Sequence, residues 1–191
     1  MIKIFALSLF ATLAMTVAAF GQTAPKSQPL PKPVTVGGAP MYANKNIIEN
    51  AVNSKDHTTL VAAVKAAGLV ETLQGPGPFT VFAPVNAAFS ALPAGTVDTL
   101  LKPENKGTLT AVLTYHVVPG RLNAAALQRL IKQGGGKAKL KTVQGEELVA
   151  TTNGTAITVT DAKGGAAKIT ISNVNQSNGV IHVIDHVLLP K

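Results

Sequence analysis

Cysteine and tryptophan are absent from the 191 residues. Without cysteine the chain has no disulfides, no thiolate metal site, no cysteine nucleophile and no lipid-modified N-terminal cysteine. Aromatic residues are scarce, at 4%, with Tyr occurring twice. That argues against a nucleic-acid platform, which stacks bases on aromatic rings. Charged residues are only 14% of the chain, too few for a coiled coil or a long solvated helix. Beyond the N-terminus no segment is long and apolar enough to cross a bilayer, and no internal repeat suggests a solenoid. What is present is a 46% apolar content, enough for a packed core and too high for general disorder. Basic residues outnumber acids, 17 to 9, for a formal charge of +8.

Residues 1–21, MIKIFALSLFATLAMTVAAFG, have one basic residue, Lys3, then an apolar stretch from Ile4 to Val17, then small residues. This is the layout of a secretory signal peptide. Cleavage after Ala19 or after Gly21 fits, the second better. A retained membrane anchor is the alternative, but the run is short for a span and Ser8, Thr12 and Thr16 dilute it. The expected location is secreted or periplasmic, with no transmembrane segment in the mature protein. Residues 22–40 contain Pro25, Pro29, Pro31, Pro33 and Pro40 and almost no large apolar groups, which predicts a Pro-rich disordered tether. Residues 41–191 are left as one globular domain.

The first half of that domain reads as helical. Asn44 is placed to cap a helix burying Ile47 and Ile48, and Ser54 or Asp56 caps another that ends at Gly68. Phe79-Thr80-Val81-Phe82-Ala83 reads as a buried strand, and Asn86 is placed to cap a helix after it. Leu109, Val112, Leu113 and His116 share one helical face. Asn123 caps a further helix, with Leu127, Leu130 and Ile131 inward. After Gly134-Gly135-Gly136 the period changes from 3.6 to 2, and Asn153-Gly154 marks a hairpin. Helices first and strands later predict an α+β fold.

Three segments carry a resemblance. They are Thr80 to Leu92 (TVFAPVNAAFSAL), Leu113 to Gly120 (LTYHVVPG) and Ser177 to Pro190 (SNGVIHVIDHVLLP). In composition, order and spacing they resemble the signature segments of the fasciclin domain family, over roughly residues 41–190. The resemblance implies a fasciclin-like fold, a β-strand wedge packed against several α-helices. It implies adhesion, matrix attachment or surface contact, and no established chemistry. Val85 departs from the usual Thr or Ser before the signature Asn, and His186 stands where a smaller or apolar residue is commoner. No Arg-Gly-Asp motif is present, so no particular receptor is implied.

The resemblance links Tyr115 and His116 to adhesion, making them candidate partner-binding residues. His116 also continues an apolar helix face, so a structural role pinning helix to sheet is the competing reading, with any effect on adhesion indirect. Asn86, His182 and Asp185 are expected to be structural signature residues. As a strand pair, His182 and His186 share a face about 13 Å apart, too far to share a metal ion. Asp185 is expected to be buried, with backbone amides near Asn86 as its partners. No Gly-x-Ser-x-Gly elbow, phosphate loop or convergent acid pair occurs, so an enzyme is not expected, nor a metal or cofactor. Arg121, Arg129, Lys132, Lys137, Lys139 and Lys141 occur without an intervening acid. On a strand, Lys137, Lys139 and Lys141 project from one face. They either keep an edge strand from pairing with another sheet or contact an anionic glycan or lipid headgroup. Asn153-Gly154-Thr155 and Asn175-Gln176-Ser177 match the N-glycosylation pattern and also read as turns.

The expected function is an exported, non-enzymatic adhesion or surface-interaction module. Its expected partners are a cell-surface or matrix protein or an anionic glycan, not nucleic acid, with weak self-association supplying avidity. The alternative is a carrier of a small apolar ligand, a pigment or lipid, in a pocket between helices and sheet.

Overall fold

The computed structural model describes residues 32–191; the expected signal peptide, its cleavage position and residues 22–31 of the expected tether lie outside the described residues. Val34–Val36 (β1) and Ala39–Met41 (β2) form an antiparallel hairpin. The tether expected through residue 40 therefore does not extend that far. Val34-Thr35-Val36 is a β-branched run, and Gly37 and Gly38 both take positive φ, +57° and +76°, as a two-residue hairpin turn requires. Pro40 pairs with Thr35 on this two-stranded ribbon, a setting that tolerates its missing N–H. Val36 and Met41 are buried in the core, so the hairpin belongs to the folded body.

Helix Ile47–Ala51 (α1) is capped by Asn46, not Asn44. Its side chain accepts from the Glu49 amide at 2.9 Å, and Glu49 accepts from the Asn46 amide at 2.7 Å. The Glu three residues on selects Asn46, because it completes the reciprocal box. A single 3-10 turn at Lys55–His57 leads into Thr58–Ala67 (α2), which ends at left-handed Gly68 as expected. Val70–Gln74 (α3) precedes the buried strand Phe79–Pro84 (β3), followed by the short helices Asn86–Ser90 (α4) and Thr96–Leu100 (α5). Lys106–Tyr115 (α6), Val117–Pro119 (β4) and Ala124–Gln133 (α7) follow. Asn123 caps α7 through the Ala126 amide at 2.8 Å. Leu127 and Ile131 face inward, but Leu130 is exposed.

The strand-rich part comprises Lys137–Lys141 (β5), Glu147–Asn153 (β6), Ala156–Thr160 (β7), Ala166–Gln176 (β8) and Gly179–Ile184 (β9). The β6–β7 hairpin turns at Gly154-Thr155, with Asn153 paired to Ala156. Among the described residues these strands join β3 and β4 in a seven-stranded sheet of order β4-β3-β9-β8-β7-β6-β5. The β3–β9 pair is parallel and the other pairings are antiparallel. Register shifts in β8, with Asn173 at φ +60°, bend the long strand. The sheet curls until its ends meet, and the Val143 amide donates to Val117 O at 2.8 Å.

Two cores result. Helices α1–α6 and the β1–β2 hairpin pack around Leu60, Val64, Val81, Leu113 and Ile181. Helix α7 closes the second core, where Leu127 and Ile131 meet Leu140, Leu148 and Ile184. Truncation before Met41 should cost about 2 kcal/mol or more, since it removes buried Val36 and the partner strand of β2. Urea unfolding of chains starting at Lys32 and at Met41 checks this. Equal midpoints would mean the hairpin contributes nothing.

Candidate functional site

The three signature segments supply side chains that face inward. Asn86 does not cap α4, whose N-cap is Val85. Its Oδ1 accepts from the Thr59 amide at 3.0 Å and its Nδ2 donates to Lys55 O at 2.8 Å, tying α4 to the start of α2. Tyr115 is fully buried. Its hydroxyl accepts from the Ala162 amide at 2.9 Å and donates to Glu147 O at 3.2 Å, so α6 is tied to β6 and to the turn after β7. Burial pushes the Tyr115 phenol above its ordinary pKa, only partly offset by the Ala162 bond.

His116 lies at the C-cap of α6, 3% exposed. Nδ1 donates to Val112 O at 2.8 Å, and Nε2 accepts from the Leu188 amide at 3.0 Å. Both ring nitrogens are used and the ring must be neutral. Burial lowers its pKa from 6.5 to about 4. Tyr115 and His116 were candidate partner contacts. At 0% and 3% exposure they do not reach a partner's surface, because the helix face that carries them is the face that packs.

His182, buried in β9, stacks on Phe82 with ring centroids 5.8 Å apart. Its Nε2 donates to Leu122 O at 2.8 Å, which leaves Nδ1 as an acceptor without a partner. Burial lowers its pKa. Beside it, Thr80 donates to Gly120 O at 2.6 Å and accepts from the Leu122 amide at 2.8 Å. His186 does not share the His182 face, because β9 ends at Ile184 and His186 is exposed. Asp185 also departs from expectation. It is half-buried, and its Oδ1 accepts from the Lys168 amide at 2.7 Å and from His186 Nδ1 at 2.9 Å. The Asn86 segment lies on the β3 side of β9, where Ile184 O accepts from the Val85 amide, whereas the Asp185 carboxylate bonds on the other side, to β8. Partial burial raises its pKa, but the His186 and Lys168 bonds outweigh this and the net shift is downward.

Asp161 and Asn178 do comparable work that the sequence reading did not assign. Asp161 Oδ1 accepts from the Lys163 and Gly165 amides and Oδ2 from the Leu189 amide, all within 2.9 Å. The run Asp161-Ala162-Lys163-Gly164-Gly165 carries the signal, since a leading Asp favours such a turn. Asn178 accepts from the Ile47 amide and donates to Leu73 O and Gly75 O, gathering α1 and α3 onto the β8–β9 turn.

Between the helices and β3 lies an apolar cavity of about 50 Å³, lined by Val36, Leu60, Val64, Val81 and Ile181, with His57 at its wall. Ordinary ligand pockets run to about 300–1,000 Å³. The cavity is well below that size, whereas the carrier alternative calls for room for a pigment or a lipid. Among the described residues no group of three or more His, Asp or Glu side chains is arranged to hold a metal ion.

The lysines behave as the strand period predicts. Along β5, Lys137, Lys139 and Lys141 are exposed while Ala138 and Leu140 are buried. β5 is the terminal strand of the sheet, and Lys139 pairs with Glu147 at 3.2 Å. Arg121 is engaged elsewhere, donating to Gln176 O and Ser177 O.

The fasciclin domain model matches residues 55–190. Protein sll1483 of Synechocystis sp. is 47% identical over 161 residues, covering 83% of this chain and 81% of that protein. Immunogenic protein MPB70 of Mycobacterium bovis is 37% identical over 145 residues, covering 73% of this chain and 66% of that protein. Among solved structures, a domain pair from the insect cell adhesion molecule Fasciclin I aligns with a TM-score of 0.53 at 23% identity. It covers 68% of this chain and 43% of that chain, a likeness of fold.

Two outcomes follow from the buried polar groups. Stability should be greatest above pH 6.5 and fall as pH drops toward 4, because the unfolded chain binds a proton at residue 116 that the folded ring resists. The difference amounts to roughly 3 kcal/mol. In urea unfolding from pH 7 to pH 4, His116→Gln should lower the pH 7 midpoint and flatten the profile, with a residual slope from His57 and His182. An unchanged slope would contradict the assignment. Tyr115→Phe strands the Ala162 amide and should cost about 1–3 kcal/mol in the same assay.

Proposed function

The chain belongs to the fasciclin domain family, and from that premise we propose that it is an exported surface-interaction module that binds cell-surface, matrix or envelope components without chemistry of its own. The family is one of generally non-enzymatic, adhesion-type domains found in extracellular proteins. Export rests on the composition of residues 1–21. Candidate partners are a surface or matrix protein or an anionic glycan.

One contrast carries the reading. Asn86, Tyr115, His116 and His182 of the signature segments are consumed as internal ties, whereas the lysines of β5 stand in solvent. Buried, neutral, hydrogen-bonded groups stiffen a scaffold and offer nothing to a substrate. Exposed cations on a rigid sheet offer a partner charge at fixed spacing. A single such contact is weak, so clustering or self-association would supply avidity.

The test immobilises the full mature chain and measures attachment of envelope fragments from its own cells. Lys137→Gln, Lys139→Gln and Lys141→Gln together should reduce attachment severalfold while leaving the melting temperature within a degree or two, as expected for exposed side chains. Attachment no greater than that of an unrelated protein of equal charge would overturn the reading.

A further inference from the structure

The outward face of the β5–β8 sheet is opposite the face that α7 covers, and its registers set side chains from four strands in one line. Lys137 pairs with Thr151, Thr151 with Thr158, and Thr158 with Lys168. The lysines are exposed and the threonines half-buried. With strands about 4.8 Å apart, the row spans roughly 14 Å of backbone from Lys137 to Lys168, across the two threonines. The next row reads Lys139, Val149, Thr160, Ala166, and beyond it Lys141 faces Glu147.

We propose that this face docks a linear anionic polysaccharide, with Lys137 and Lys168 on acidic groups of separate sugars and the Thr151 and Thr158 hydroxyls on the sugar between them. The proposal rests on the surface-interaction reading above and names its partner class. Charge complementarity selects an anion. Lys137, Lys139, Lys141 and Lys168 share the face with Glu147, which engages Lys139, and with Asp185, bound to the Lys168 amide at one end. A neutral glycan is disfavoured because such sugars are held by stacking on aromatic rings, and these rows contain none. A lipid surface is disfavoured because the exposed large apolar residues Tyr42, Val52 and Leu130 lie on other elements and Val143 stands alone in the β5–β6 turn, outside the rows, too little apolar surface here to insert between acyl chains.

The experiment measures retention of the full mature chain on alginate and on dextran sulfate. Unmodified dextran and vesicles of phosphatidylglycerol with phosphatidylcholine serve as comparisons. Lys137→Gln with Lys168→Gln should weaken polyanion binding about tenfold. Thr151→Val with Thr158→Val should weaken it without any change of charge. Lys102→Gln with Lys106→Gln removes the same charge from exposed positions off this face and should change binding less than about twofold. Rising salt should release the chain. An equal loss in the Lys102 and Lys106 variant, or tighter binding to the anionic vesicles, would overturn the proposal. So would an absence of retention on both polyanions; if envelope attachment then persists, this proposal falls alone, and if it too is lost, the reading beneath falls with it.

Discussion

The parallel pairing of β3 with β9 is the constraint on which the rest of the structure depends. These strands lie side by side from Phe79 with Gly179 to Pro84 with Ile184, and nearly every residue of both is buried. The strand alternation sends Val81, Ala83, Ile181 and Val183 into the helical core, and Phe82 and Ile184 into the second. One two-stranded wall therefore serves both cores, and a strand pair buried on both faces must be almost continuously apolar. A Cβ at Gly179 would run into the Phe79 backbone, so the pairing also requires glycine where it begins.

The polar residues inside this wall are explained by what they hold. Thr80 and His182 take both backbone groups of Leu122 and so fix the segment between β4 and α7. His116 and Asp161 take the consecutive amides of Leu188 and Leu189 and fix the chain beyond β9. The arrangement has a cost. His57 Nε2 and His182 Nδ1 are buried without partners, a penalty of about 1–3 kcal/mol each, and burial holds both rings below their ordinary pKa. Such groups add rigidity and positional specificity more than net stability. That suits the proposed role of presenting a surface.

The presented surface follows from the same plan. Helix α7 takes one side of β5–β8, so the opposite side faces solvent, and the strand period alternates alanine, leucine and valine inward with lysine and threonine outward. The sheet's curl ties the end of β5 to β4 through Val143 and Val117. This shortens the edge open to another sheet while leaving the lysine-bearing face free, so edge protection and partner contact are compatible roles for the same lysines.

Local patterns were decided by the sequence alone. The change of period after Gly134-Gly135-Gly136, the Asn123 cap, the Gly68 stop and the alternation of Lys137, Lys139 and Lys141 each depend on neighbours within a few residues. So did family membership, because three signature segments are contiguous stretches. What required the fold is what joins distant stretches. The partners of Asn86 lie 27 and 31 residues away, and that of His182 60 away. Val34-Thr35-Val36 looked like part of a Pro-rich linker until Val36 had a core to enter. The line from Lys137 to Lys168 exists only through three successive strand registers. Periodicity tells which way a side chain points, but which residue lies opposite it is set by strand pairing, and that is a property of the folded chain.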